Sequence, residues 1–239
     1  MRQLSLPLIL AMSLCGQPKR PVEVFNTKDG SLRLIPIRHA SLMLEAAGQI
    51  VHVDPWSQGH YDGLPQADVI LITDIHGDHL DPAMIDKLKK SGTAILGPEA
   101  VAAKLAGVTV IRNGETKSVG KWSFEAIPMY NLKRGPAEGK FYHDKGRGNG
   151  YVVTYGGFRL YISGDTEGVP EMRALKSIDV ALVSMNLPYT MPPEEAADAV
   201  RAFRPKVVYP YHYRGSDLAS FVKGLAGTET EVRIRDWYY

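Results

Sequence analysis

Cysteine is almost missing from this chain. Cys15 is the one thiol in 239 residues, which excludes an intrachain disulfide framework and any thiolate-rich zinc cluster. Charge of one sign is missing too: Lys+Arg 28 against Asp+Glu 26 leaves a formal +2, and no dense Lys/Arg run offers nucleic acid a footing. No serine stands in a G-x-S-x-G elbow, so neither a serine nor a cysteine triad is suggested. The apolar run Leu4 to Leu14 is too short for a bilayer, which needs about 20 residues. Behind the basic start Met1-Arg2 it has the length of a signal-peptide core instead. Residues 1–20 are therefore expected to be a leader for export to a periplasmic or extracytoplasmic location. Cys15 would be the lipid anchor if the chain touches a membrane, and an uncleaved, cytoplasmic N-terminus is the alternative.

Residues 21–239 are expected to form one domain, and 44% hydrophobic content is enough for a sizeable core. Sixteen prolines and 23 glycines suit a loop-rich α/β fold. The informative stretch is Val69-Ile70-Leu71-Ile72-Thr73-Asp74-Ile75-His76-Gly77-Asp78-His79-Leu80-Asp81. Its apolar start reads as a short strand buried on both faces. Polarity then inverts, and Asp74, His76, Asp78 and His79 offer four ligand types around Gly77, a residue that eases a tight turn. Asp81-Pro82 reads as N-cap and first helical residue.

Antiparallel strands are expected at Leu32–Ile37, Leu42–Glu45 and Ile50–Val53, with Asp54 as a turn former or a carboxylate behind a metal-facing histidine. Helices are expected over Ala83–Lys90, Pro98–Leu105 and Pro193–Phe203, and strands over Val108–Ile111, Trp122–Met129, Val180–Val183 and Val207–Tyr209. Tyr151–Tyr155 and Arg159–Ile162 read as a hairpin around Gly156-Gly157. The polar passage Tyr130–Gly150 is long for an idle loop. Within it Arg134, Lys140, Lys145 and Arg147 either meet an anionic substrate or are simply solvated. His52 reads as structural and His60 as surface.

Three strands thus end in ligand types: the first loop, then Asp165, then His212. Nitrogen and carboxylate donors together suit zinc, and also manganese or iron. An open position on such an ion lowers the pKa of bound water to about 7 and generates hydroxide at neutral pH.

Thr73-Asp74-Ile75-His76-Gly77-Asp78-His79 resembles the T-H-x-H-x-D-H signature of the metallo-β-lactamase superfamily. Ser163-Gly164-Asp165-Thr166 resembles its G-D-T element, and Tyr211-His212 its final histidine. His39-Ala40-Ser41, Asp54-Pro55-Trp56, Tyr130-Asn131, Phe141-Tyr142-His143 and Asn186 to Met191 are similar to the ascorbate-6-phosphate-lactonase-like and phospholipase-D-like branch.

The resemblance implies a four-layer αββα sandwich with metals at one edge of the two sheets. It also implies a hydrolase in which metal-bound hydroxide attacks a small ester, lactone or phosphodiester. One site would use Asp74, His76 and a third ligand, Asn131 or His143. The other would use Asp78, His79 and His212, with Asp165 bridging one or two zinc ions. Asp78 or Asp165 would orient the attacking hydroxide and take its proton, while His39, Asn131 and Tyr189 would face the substrate. Three carboxylates would tilt preference toward harder ions such as manganese. The expected partner is a small molecule, with no nucleic acid. The rival readings are a nuclease-type phosphodiesterase and a catalytically weak metal-binding or sensory protein.

Overall fold

The structure is a computed structural model that describes residues 20–239. The leader expected over 1–20 and the anchor at Cys15 lie outside the described residues, Arg20 apart. Among the described residues, fourteen strands form two seven-stranded sheets, each in sequence order. The first holds β1 (Glu23–Thr27), β2 (Gly30–Arg38), β3 (Ser41–Ala46), β4 (Gln49–Val53), β5 (Ala67–Leu71), β6 (Lys89–Gly97) and β7 (Val108–Val110). The second holds β8 (Thr116–Val119), β9 (Trp122–Met129), β10 (Gly148–Tyr155), β11 (Phe158–Ile162), β12 (Val180–Ser184), β13 (Val207–Tyr211) and β14 (Glu231–Val232).

In both sheets the leading four strands pair antiparallel. The trailing pairs are parallel and so need crossovers. Helices stand in each of these crossovers except that between β4 and β5: α1 (Pro82–Leu88), α2 (Glu99–Ala102), α3 (Pro170–Arg173), α4 (Pro193–Phe203) and α5 (Leu218–Gly224).

Period-two alternation sets the layers. Along β3, Leu42 and Leu44 enter a central core while Met43 enters an outer one, and Val69 and Leu71 of β5 flank Ile70 in the same way. In the second sheet Val180 and Leu182 face the centre, whereas Ala181 and Val183 face outward. Met84, Ile85 and Leu88 of α1 cover the first sheet, and Ala196, Val200 and Phe203 of α4 cover the second. Four αββα layers result. Stretches covered on both faces must be apolar, which is why Val69–Leu71 of β5 and Val180–Val183 of β12 read as hydrophobic runs, with the half-buried Asp68 near the start of β5 and Ser184 at the end of β12.

Explicit turn chemistry matches the structure well. The Asp81 carboxylate accepts from the Met84 N–H and Pro82 opens α1. The β10–β11 hairpin closes at Tyr155 and Phe158 around Gly156 and Gly157, both with positive φ. The helix expected over Ala83–Lys90 stops at Leu88, because Lys89 is extended and pairs beside Ala67 to open β6. The helix expected over Pro98–Leu105 is regular only over Glu99–Ala102. Sequence reasoning missed β1, β6, β8, α3, α5 and β14. β1 and β8 are exposed or half-exposed along their length and carry no apolar period to detect.

Candidate metal centre

Strand ends deliver the site. Past β5, the Thr73 N–H and hydroxyl donate to Asp54 Oδ1 and Oδ2 at 2.8 and 2.6 Å. His79 Nδ1 lies 2.8 Å from Asp54 Oδ2. A carboxylate only accepts, so Nδ1 carries the proton and Nε2 keeps its lone pair for the site. Asp54 is fully buried with φ +43°, so the turn and the carboxylate behind a histidine are one residue. Past β11, Gly164 turns with φ +61°, and a Cβ there would collide with Met129 Sδ. Only glycine lets the next residue, Asp165, enter the site.

Past β13, His212 has φ +48° and its N–H donates to the His39 carbonyl at 3.2 Å. His39 has φ +56°, and its ring lies 3.6 Å from that of His212. Three of the six non-glycine residues with positive φ among the described residues therefore belong to the site, a conformation that costs about 1–3 kcal/mol each. Gly77, read in the sequence as the residue that eases the turn, has ordinary φ and open space around it. The left-handed positions are His39, Asp54 and His212 instead.

Two clusters of donors meet. In one, His79 Nε2 is 3.3 Å from Asp165 Oδ2, and His212 Nε2 is 3.4 Å from both Asp165 Oδ1 and Asp78 Oδ2. Two ligands held about 2.0–2.2 Å from a common ion at a tetrahedral angle lie about 3.4 Å apart. In the other, Asp74, His76 and His143 converge, and His143 Nε2 also reaches Asp165 Oδ2 at 3.3 Å. Asp165 therefore touches both clusters. His79 Nε2, His143 Nε2, Asp165 Oδ1 and His212 Nε2 are buried without a hydrogen-bond partner. Orphaned polar atoms of this kind are costly unless something binds them, and a divalent ion fits the donor set.

The surroundings distribute the remaining predicted residues. Asn131 lies behind His143 rather than in the cavity wall. Its Oδ1 accepts from the His143 backbone N–H at 2.7 Å and faces His143 Nδ1 at 2.8 Å, while its amide donates to the Tyr189 carbonyl at 2.8 Å. It thus aims the His143 Nε2 at the site and reaches a substrate only through that ring. A cavity of about 590 Å³ opens over the ligands, and His39, Asp78 and Tyr189 line it together with Trp56, Tyr142 and Arg214.

Arg134 and Lys145 do not face this space, being paired with Glu195 and Glu171. Arg147 binds Asp74, with Nε to Oδ1 at 3.1 Å and a terminal nitrogen to Oδ2 at 2.9 Å. This pairing offsets one of the three negative charges counted from the sequence. No pattern along the chain marks it, because the need for a counter-charge follows from the burial of Asp74. Arg214, absent from the sequence-derived set, stands two residues past His212 with its guanidinium 5.7 Å from the Tyr238 ring.

Electrostatics favour a cation. Burial works against charge on His79, but Asp165, Asp54 and Asp78 outweigh it and push its pKa well above the ordinary value. Burial likewise opposes ionisation of Asp165, yet His212, His79 and His143 hold it well below the usual carboxylate range. The field that draws a proton to His79 also draws a divalent ion, which competes with protons for the imidazole lone pairs. His39 differs: burial pushes it down to about 4 despite its hydrogen bond to Asp78.

Residues 34–212 match the family described as beta-lactamase superfamily domain. A UPF0173 metal-dependent hydrolase of Thermococcus onnurineus is 31% identical over 215 residues, covering 82% of this chain and 92% of the relative. A crystal structure of a candidate metal-dependent hydrolase from Parabacteroides distasonis is 43% identical with TM-score 0.86, covering 90% of this chain and 98% of that one. The isothiocyanate hydrolase from Delia radicum gut bacteria, at 19% identity and TM-score 0.64 over 86% of this chain and 97% of its own, shares the fold.

Proposed function

The chain belongs to the metallo-β-lactamase superfamily and is a metal-dependent hydrolase, and from that premise we propose that it cleaves a small ester, lactone or phosphodiester with one or more zinc ions. The observation that carries this reading is the set of buried, unpartnered donor atoms on His79, His143, Asp165 and His212. Two nitrogens and carboxylate oxygens around the His79–His212 cluster suit zinc, and also manganese or iron. A bound ion would supply a water of lowered pKa and a Lewis acid toward the scissile group.

The protein's own groups do the rest. Asp78, held by His39 Nε2 at 3.3 Å, faces the cavity and accepts a proton from the attacking water. Asp165, shared by both clusters, orients the ligands. Trp56, Tyr142 and Tyr189 give an apolar wall, and Arg214 is the cationic side chain among the described residues that line the cavity. That combination favours a substrate with a compact apolar body and a negative group, in keeping with the lactonase-like and phospholipase-D-like resemblance.

The test is elemental analysis of protein purified without added metal, together with turnover on neutral and anionic esters, lactones and phosphodiesters. Protein as purified should carry zinc and turn over members of that panel. His79→Ala and Asp165→Asn should each lose bound metal and at least roughly 10²–10³-fold in turnover. Undiminished turnover in a metal-free double variant would end the proposal.

A further inference from the structure

We propose that Arg147 keeps the Asp74–His76–His143 position closed to a tightly held cation, so that the protein binds one divalent ion firmly, at His79, Asp165, His212 and Asp78. This rests on the metal-dependent reading of the site and adds its nuclearity.

Lone pairs come first. Asp74 is fully buried, and both its oxygens are engaged. Oδ1 accepts from Arg147 Nε, and Oδ2 accepts from the Arg147 terminal nitrogen at 2.9 Å while also facing His76 Nδ1 at 2.8 Å. A carboxylate oxygen offers about two acceptor positions, so Oδ2, the oxygen that faces His76 and His143, has none left for an ion until one partner leaves, while Oδ1 keeps one beside Arg147. Asp74 is thus a charged carboxylate already spoken for by a cation.

Charge and placement point the same way. A guanidinium stays protonated and its fork matches a carboxylate at both oxygens. An ion on Asp74 would share that carboxylate with a second, permanent positive charge. Arg147 is also not a free surface side chain: two residues on, the Asn149 N–H donates to the Thr73 carbonyl at 2.9 Å, beside Asp74 in the chain. That backbone bond brings the end of the 130–147 loop to the aspartate.

The other cluster lacks such a competitor. Among the described residues no Lys or Arg pairs with Asp78 or Asp165. Three of its buried donor atoms, His79 Nε2, Asp165 Oδ1 and His212 Nε2, have no hydrogen-bond partner, against one buried atom, His143 Nε2, on the Arg147 side. His76 is besides 45% exposed at its side chain, whereas His79 and His212 are buried, so one position is enclosed by protein and the other opens to solvent.

The experiment is zinc titration by calorimetry with metal counted by mass spectrometry after dialysis, on the full chain. The wild type should hold one zinc, with any second ion at least tenfold weaker. Arg147→Met, which keeps the apolar stem and drops the charge, should hold two. Should the stranded Asp74 charge unfold that variant, judged by circular dichroism, the Asp74→His, Arg147→Met double substitution removes it and should also hold two. Two equally tight ions in the wild type would overturn the proposal but leave the hydrolase reading intact, as would a folded Arg147→Met or double variant that still binds one. No bound ion at any position would overturn both.

Discussion

Asp54 sits behind His79 and faces only protein, yet it decides which nitrogen of that ring looks into the site. Its carboxylate accepts a hydrogen bond from His79 Nδ1–H and two from Thr73, so Asp54→Asn would place an amide where an acceptor with charge is needed. Partners of this kind typically carry 10–100-fold in metal affinity. Asp54→Asn should therefore weaken zinc binding by roughly 10–100-fold in a folded protein, read by competition with a chromophoric chelator. An unchanged dissociation constant would show that His79 keeps its orientation without help. Asn131 acts on His143 by the same logic; the residue pattern alone left Asp54 between a turn former and this role, and did not mark Asn131 for it.

The short helix α1 carries more than its own seven residues. Asp81 Oδ1 accepts from the Met84 N–H at 3.2 Å and Oδ2 from the Ser57 N–H at 2.8 Å. One carboxylate thus caps the helix and ties down the loop that carries Trp56, a wall of the cavity. Loss of a cap costs about 1 kcal/mol and at most about 2. Asp81→Ala should lower stability by about that amount in urea unfolding and raise KM more than it lowers kcat, because it frees a wall and leaves the ligands in place. A drop in kcat at constant KM would place the effect at the ligands instead. The same stretch shows where sequence patterns reach their limit. Cap and proline mark the start of α1 clearly, whereas its end is set by the pairing of Lys89 with β5, a tertiary event.

Across the whole molecule, the buried imidazoles set the response to acid. Burial pushes His52 down to about 4, its Nε2 bonded to the Pro65 carbonyl at 3.0 Å, while the unfolded chain has an ordinary value of about 6.5. Between those values the unfolded state binds more protons, so this contribution is fully present above about pH 6.5 and is lost as pH falls toward 4. His52 alone should remove roughly 2 kcal/mol between pH 7 and pH 5. Urea midpoints at the two pH values check this, and His52→Gln, which keeps an N–H for Pro65, should flatten the difference. An equal acid loss in the variant would assign it elsewhere.

The sequence by itself determined the kind of chemistry and, through its resemblance to the superfamily, the layers. Apolar runs mark Val69–Leu71 and Val180–Val183 as buried strands, and ligand types cluster where strands end. Those signals are local, because each depends on residues a few positions apart. Only the tertiary structure decided the partners: Arg147 on Asp74, 73 residues away, Asn131 behind His143, Asp54 behind His79, and left-handed backbone at His39 and His212 rather than at Gly77. A charge or lone pair is satisfied by whatever the fold brings within about 3 Å, and no pattern along the chain records that choice.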